Sequence, residues 1–146
     1  MAVSPVPEGY QSVIPYLVID GVAGLIEFLK TTFAAVEIER VPGPDGKVMH
    51  AEVRIGDSVV MMGDACGTTG PSPATLHVYL PDVDAAYQRA LNAGATSIEA
   101  PTDKFYGDRS AGVADAWGNR WFMATHVEDV SSEEMQRRAA AYQKSS

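Results

Sequence analysis

The sequence has a single cysteine, Cys66, so it offers no internal disulfide and no cysteine-based zinc site. It also lacks basic residues in excess: Lys and Arg total 11 against 19 Asp and Glu, for a net charge of -8. That balance argues against nucleic acid or an anionic membrane as partner, since either would need a concentrated basic face. No apolar run approaches the length of a membrane span. The first ten residues, through Tyr10, have neither a basic segment nor an apolar one, so no secretory leader is expected and a cytoplasmic location is. The stretch Gly63-Asp-Ala-Cys-Gly-Thr-Thr-Gly70 lacks the Lys of a phosphate-binding loop, and no serine nucleophile elbow is present.

With 46% hydrophobic and 21% charged residues in 146, the chain is expected to build one real core. Residues 1–9, with Pro5 and Pro7, form an extended lead-in. Strands are expected at 12–20, 35–41, 48–55 and 58–62, with turns at 42–47 and 56–57. Residues 21–34 read as a helix, because Val22, Leu25, Ile26, Leu29 and Phe33 fall on one stripe. A small-residue linker, 66–73, follows, and the pattern then restarts. Strands are expected at 75–80, 96–100, 110–114 and 120–126, a helix at 82–93 ending at Gly94, and a loop at 101–109. Ser131 and Glu134 have the spacing of a capping box and open a helix to about Gln143.

The two halves superpose by simple addition. Asp20 meets Asp82 and Gly56 meets Gly118, each 62 apart (82 − 20 and 118 − 56). At that offset Ala23 meets Ala85, Leu29 meets Leu91, Glu37 meets Glu99 and Met61 meets Met123. Such a repeat is one supersecondary unit used twice. The fold class expected is therefore α+β, two tandem β-α-β-β-β modules (about 10–64 and 74–126) within one domain over 10–130, with 131–146 as a C-terminal helix and tail.

With this repeat, and with the stretches 18–29 and 115–121, the chain resembles the vicinal oxygen chelate (glyoxalase, bleomycin resistance and dioxygenase) superfamily. The stretch Val18-Ile-Asp-Gly-Val-Ala-Gly-Leu-Ile-Glu-Phe-Leu29 resembles its first strand-to-helix junction. Asp115-Ala-Trp-Gly-Asn-Arg-Trp121 resembles its last hairpin, with Ala116 where proline is usual. Residues 43–61, 104–110 and 124–131 are most similar to the PhnB-like branch. The resemblance implies curved mixed sheets whose concave face binds a ligand, and a metal held by one residue on each of four strands. Counted from the junctions and hairpins, those four positions are Val13, Val60, Thr75 and Phe122, none a normal divalent-metal ligand. No metal and no cofactor are therefore expected.

By strand parity the same face should carry Pro15, Met62, His77, Tyr79 and Ala124. Val13, Val60, Met62, Tyr79 and Phe122 would line an apolar ligand cup, or else simply fill the core. His77 would be its rare polar group, as ligand contact, general base or a structural histidine. His50 and Glu52 could join His77 in a displaced metal site or form a solvated ion-pair row. Tyr106, Asp108 and Arg109 would sit at the pocket mouth, with Arg109 either gripping an anion or clamped by Asp in a turn. His126 and Glu128 are expected to organise the entry to the last helix. The leading functional reading is a binder of a small, partly apolar molecule. The alternative is a metal-free or displaced-metal lyase or isomerase with His77 as base and Arg109 stabilising developing charge. Open sheet edges, and the resemblance, point to a homodimer.

Overall fold

Two turns, at 42–47 and 56–57, cut the first half into the expected strands. In the computed structural model, which describes residues 3–67 and 70–145, the elements follow in the expected order. Met1, Ala2, Thr68, Thr69 and Ser146, parts of the expected lead-in, linker and tail, lie outside the described residues. The first unit, Met1–Ala74, contains β1 (Tyr16–Ile19), α1 (Val22–Phe33), β2 (Val36–Pro42), β3 (Val48–Ile55) and β4 (Ser58–Asp64). The second, Thr75–Ser146, contains β5 (Thr75–Tyr79), α2 (Val83–Asn92), β6 (Thr96–Asp103), β7 (Asp108–Ala114), β8 (Arg120–His126) and α3 (Ser132–Ser145). Each unit is one four-stranded mixed sheet, ordered β1-β4-β3-β2 and β5-β8-β7-β6. The first and last strands of each unit pair in parallel and the others are antiparallel. The fold is thus α+β, two tandem β-α-β-β-β modules.

In the first unit, Leu17, Ile19, Ala51, Val53, Val60 and Met62 share the sheet face that α1 covers, and all are buried. The helix meets them with Val22, Leu25, Ile26, Phe28, Leu29 and Phe33. In the second unit the helix-side face carries Ala111, Val113, Trp121 and Met123 against Val83, Ala86 and Ala90 of α2. Asp115 is buried beneath this hairpin. It accepts bonds from the Trp121 indole at 2.8 Å, the Asn119 amide at 2.9 Å, and the backbone N–H of Trp117 and Asn119. The Asp115–Trp121 stretch is therefore a clamp that sets the last strand.

Most element ends shift by one to four residues from expectation, and β7 opens at Asp108, inside the expected loop; two strand boundaries and one cap have a clear physical reason. β1 starts at Tyr16 rather than Ser12. The side-chain amide of Gln11 bonds both backbone groups of Val59 instead, at 2.7 and 3.1 Å, standing in for a strand residue. β6 runs on through Pro101 to Asp103, because an edge strand tolerates a residue without an N–H at an irregular register. In the capping box, Ser131 accepts from the Glu134 N–H at 3.1 Å, but the Glu134 carboxylate turns to Arg137 and Arg138. Those two guanidinium groups hold it down at about 2.

Candidate functional site

The face of each sheet opposite its helix is the open one, and both carry ionisable clusters. In the second unit, register places Thr75, His77 and Tyr79 of β5 beside Arg120, Phe122 and Ala124 of β8. Asp108, Ser110 and Gly112 of β7 lie on the same face, with His126 at its end. Phe122 packs against Gly112, where any Cβ would sit 2.8 Å from two of its ring carbons. His77 is exposed and meets Tyr79 edge-on, with ring centroids 4.9 Å apart. Tyr79 donates to Asp108 at 2.7 Å, and His126 bridges Asp108 at 2.8 Å and Asp129 at 2.7 Å. Burial opposes the charge on Asp108, but the hydrogen bonds from His126 and Tyr79 prevail and hold its carboxyl below the usual range. The same bonds raise the Tyr79 phenol, chiefly through Asp108, and raise His126 through Asp108 and then Asp129.

The open face of the first sheet carries a second chain of groups. Tyr10 donates to Glu52, Glu52 bonds His50 Nε2 at 2.8 Å, and His50 Nδ1 meets the Tyr16 hydroxyl at 3.1 Å. Burial again opposes ionisation, and the bonds from His50 and Tyr10 again keep Glu52 below the usual carboxylate range.

Several expected site residues stand elsewhere. Val60 and Met62 point to the helix side and are 5% and 0% exposed, so they are core and not cup. Val13 precedes β1 and is 85% exposed. Arg109 lies on the helix side of its strand, opposite His77. Its guanidinium is held by both oxygens of Asp84, at 2.7 and 2.9 Å, and by Asp103 at 3.2 Å. The clamp is made from α2 and the end of β6 rather than by an Asp within the turn, and Asp84 and Asp103 push the Arg109 group further up. The pairing of His77 with Arg109 on one ligand is therefore not formed. Tyr106 packs edge-on against Phe105 in the turn before β7.

For Val60 and Met62 the cause is a slip of one residue in the repeat. Val22 opens α1 and Val83 opens α2, a spacing of 61 (83 − 22). Asp64 at the end of β4 receives the first N–H groups of α1, and Thr125 receives that of α2, again 61 apart (125 − 64). Counting at 62 therefore pairs residues on opposite faces, since strand side chains alternate. Helix starts, rather than matched Asp and Gly residues, were the signal to count from. Asp108, His126, Tyr16 and Tyr10 were not singled out as a linked network because their partners are remote in sequence.

The four positions inferred for a metal do not fit one. Val60 is packed in the core, Val13 and Phe122 have no donor atom, and the Thr75 hydroxyl accepts from Arg120 at 3.1 Å. His50 and Glu52 bond each other in the first unit, while His77 belongs to the second. Among the described residues, no group of three or more His, Cys, Asp or Glu is placed to hold a metal ion. Among them, too, no helix is long and apolar enough to cross a membrane.

The sequence profile of the glyoxalase/bleomycin resistance protein/dioxygenase superfamily matches residues 15–123. The chain belongs to that superfamily. An uncharacterized protein of Mycobacterium bovis is 44% identical over 133 residues, covering 84% of this chain and 88% of its own. Among solved structures, TioX from a Micromonospora species superposes with a TM-score of 0.63 at 23% identity, covering 80% of this chain and 100% of TioX. The PhnB protein of Bacillus cereus superposes at 0.64 with 15% identity, covering 79% of this chain and 99% of its own. At such identities the superfamily members share the fold, and the site must be argued from its residues.

Proposed function

We propose that the chain is a bleomycin-resistance-type member of the superfamily that binds a small, partly apolar molecule on the open face of the second sheet. The observation that carries this reading is the make-up of that face. Phe122 packs against Gly112, His77 and Tyr79 stand exposed on the same face, and the buried Asp108 fixes the Tyr79 hydroxyl. An aromatic floor with a few fixed polar groups suits a ligand with an apolar body and a polar edge. Arg109 is engaged on the far side, so no anion grip is part of the reading. Placement in the PhnB-like branch belongs to the same proposal and is supported by the likeness to the Bacillus cereus protein. So does a homodimer: β2 and β6 are edge strands with Val36, Ile38 and Ile98 exposed.

A thermal-shift screen of aromatic antibiotics and planar heteroaromatic metabolites tests the binding. A ligand at a hundredfold excess over Kd should add about 2.7 kcal/mol of stability. The shift should vanish in Phe122→Ala and shrink in His77→Ala and Tyr79→Phe. A hit whose shift survives all three substitutions would place the ligand elsewhere and sink the reading. Sedimentation at micromolar concentration tests the dimer, which a mass near 15.6 kDa would refute.

A further inference from the structure

The open face of the first sheet holds a second, separate arrangement that the binding reading does not use. Glu52 accepts from Tyr10 and stays ionised, so it can only accept from His50. Its Oε2 lies 2.8 Å from His50 Nε2, which places the imidazole proton on Nε2. In the neutral ring Nδ1 is then a bare acceptor, and the Tyr16 hydroxyl 3.1 Å away must donate to it. Tyr10 and Tyr79, by contrast, donate to carboxylates, and both phenols are raised by those bonds. Tyr16 instead faces an imidazole nitrogen, a neutral acceptor that can take its proton.

Tyr16 also borders an open cleft of about 250 Å³, lined by Val18, Met49, Gly63, Asp64 and Cys66. Gly63 keeps that corner open: a Cβ there would stand 3.0 Å from the Tyr16 hydroxyl and 2.7 Å from the Met49 carbonyl oxygen. The lone pairs of the phenol oxygen that His50 does not engage are free to meet a molecule lodged there. A carboxylate, an imidazole and a hydroxyl in series beside a cleft is the arrangement that activates a hydroxyl by general base assistance.

We infer that Tyr16, His50 and Glu52 form a base-activated hydroxyl site that takes small acyl-type electrophiles, carbonyl or sulfonyl centres that carry a leaving group, in this cleft. In the reaction step the Tyr16 oxygen bonds to the electrophilic centre and its proton passes to His50 Nδ1. The leaving group departs with its electron pair, and Glu52 stabilises the imidazolium that results. The site lies wholly in the first unit, so it stands or falls independently of the ligand face on the second.

The test uses a sulfonyl fluoride, whose S–F bond breaks as the Tyr16 O–S bond forms and fluoride leaves. Purified protein carrying Cys66→Ala, which removes the competing thiol, is treated with phenylmethanesulfonyl fluoride at pH 7.5, and labelled tyrosines are quantified by peptide mass spectrometry. Tyr142 and Tyr79, each 61% exposed against 49% for Tyr16, serve as clocks within the same sample. Tyr16 should label at least about tenfold faster than either. His50→Asn should bring it down to the Tyr142 rate, and Glu52→Gln should lower it by a smaller factor. His50→Gln replaces the asparagine variant if that one fails to fold. Labelling of Tyr16 no faster than Tyr142, or a Tyr16 rate unchanged by loss of His50, overturns the inference.

Discussion

Helix α1 buries Val22, Leu25, Ile26, Phe28, Leu29, Thr32 and Phe33, whereas α2 buries only Val83, Ala86 and Ala90. The sheets beneath them differ in the same way. Six aliphatic or methionine side chains face α1, while the second sheet relies on Trp121 and Met123 among small residues. What the second unit lacks in apolar area it replaces with directed bonds: the Asp115 clamp under Trp121, the Arg109 grip on Asp84 and Asp103, and the Asp108–His126–Asp129 chain. Small residues on α2 let the helix sit close to its sheet. The position of Trp121 then depends on where its indole N–H is received. One architecture is thus stabilised by burial in one half and by geometry in the other.

Substitutions can break this contrast, and the largest effect is expected at its most concentrated point. Trp121→Ala should cost about 3–5 kcal/mol, measured by urea unfolding, because a fully buried ring is lost where Ala111 and Ala86 cannot fill the space. Met62→Ala should cost about 2–5 kcal/mol by the same measurement. A cost near zero would mean that Met62 lines the open ligand cup expected from the sequence rather than the core.

Asp64→Ala should cost about 1–3 kcal/mol, since it removes one acceptor from the N–H groups of Gly21, Val22 and Val48 together. Burial opposes the Asp64 charge, but those three N–H groups hold its pKa below the ordinary value. Its contribution is therefore complete above the unfolded pKa of about 3.9 and lost as pH falls through the lower folded one. The gap between wild type and Asp64→Ala in thermal unfolding should close only in strong acid.

A smaller effect of opposite sign belongs to the second unit. His126 is raised by Asp108 and Asp129, so its contribution is complete below the unfolded pKa of about 6.5 and fades as pH rises through the folded value. The difference in melting temperature between wild type and His126→Ala should therefore shrink from pH 6 to pH 9. Smallest of all, Val13→Ser should change stability by no more than about 0.5 kcal/mol, as an exposed residue outside any strand. A larger loss would restore Val13 to a packed cup.

Much of the fold was legible because its signals are local. Helical stripes, glycine and proline turns and period-two strands each need only a short window, and β3 and β8 were placed to the residue. Pro101 marks a loop in the sequence pattern yet lies within β6, because proline is excluded from a central strand but not from an edge. The candidate site was less legible. Thr75, His77, Tyr79 and Phe122 do share a face, yet a single-residue offset put Val60 and Met62 on the wrong side, and Arg109, expected in a loop at the pocket mouth, lies in β7 on the helix side.

Composition, periodicity and turn chemistry by themselves determined a twice-used β-α-β-β-β unit with apolar stripes on its helices. Tertiary structure decided which face each strand residue occupies, because register is set by hydrogen bonds between strands far apart in sequence and one residue of slip exchanges the two faces. It also decided which ionisable groups meet. Glu52 reaches back to Tyr10, and Asp108 joins Tyr79 to His126, across separations that no local pattern records.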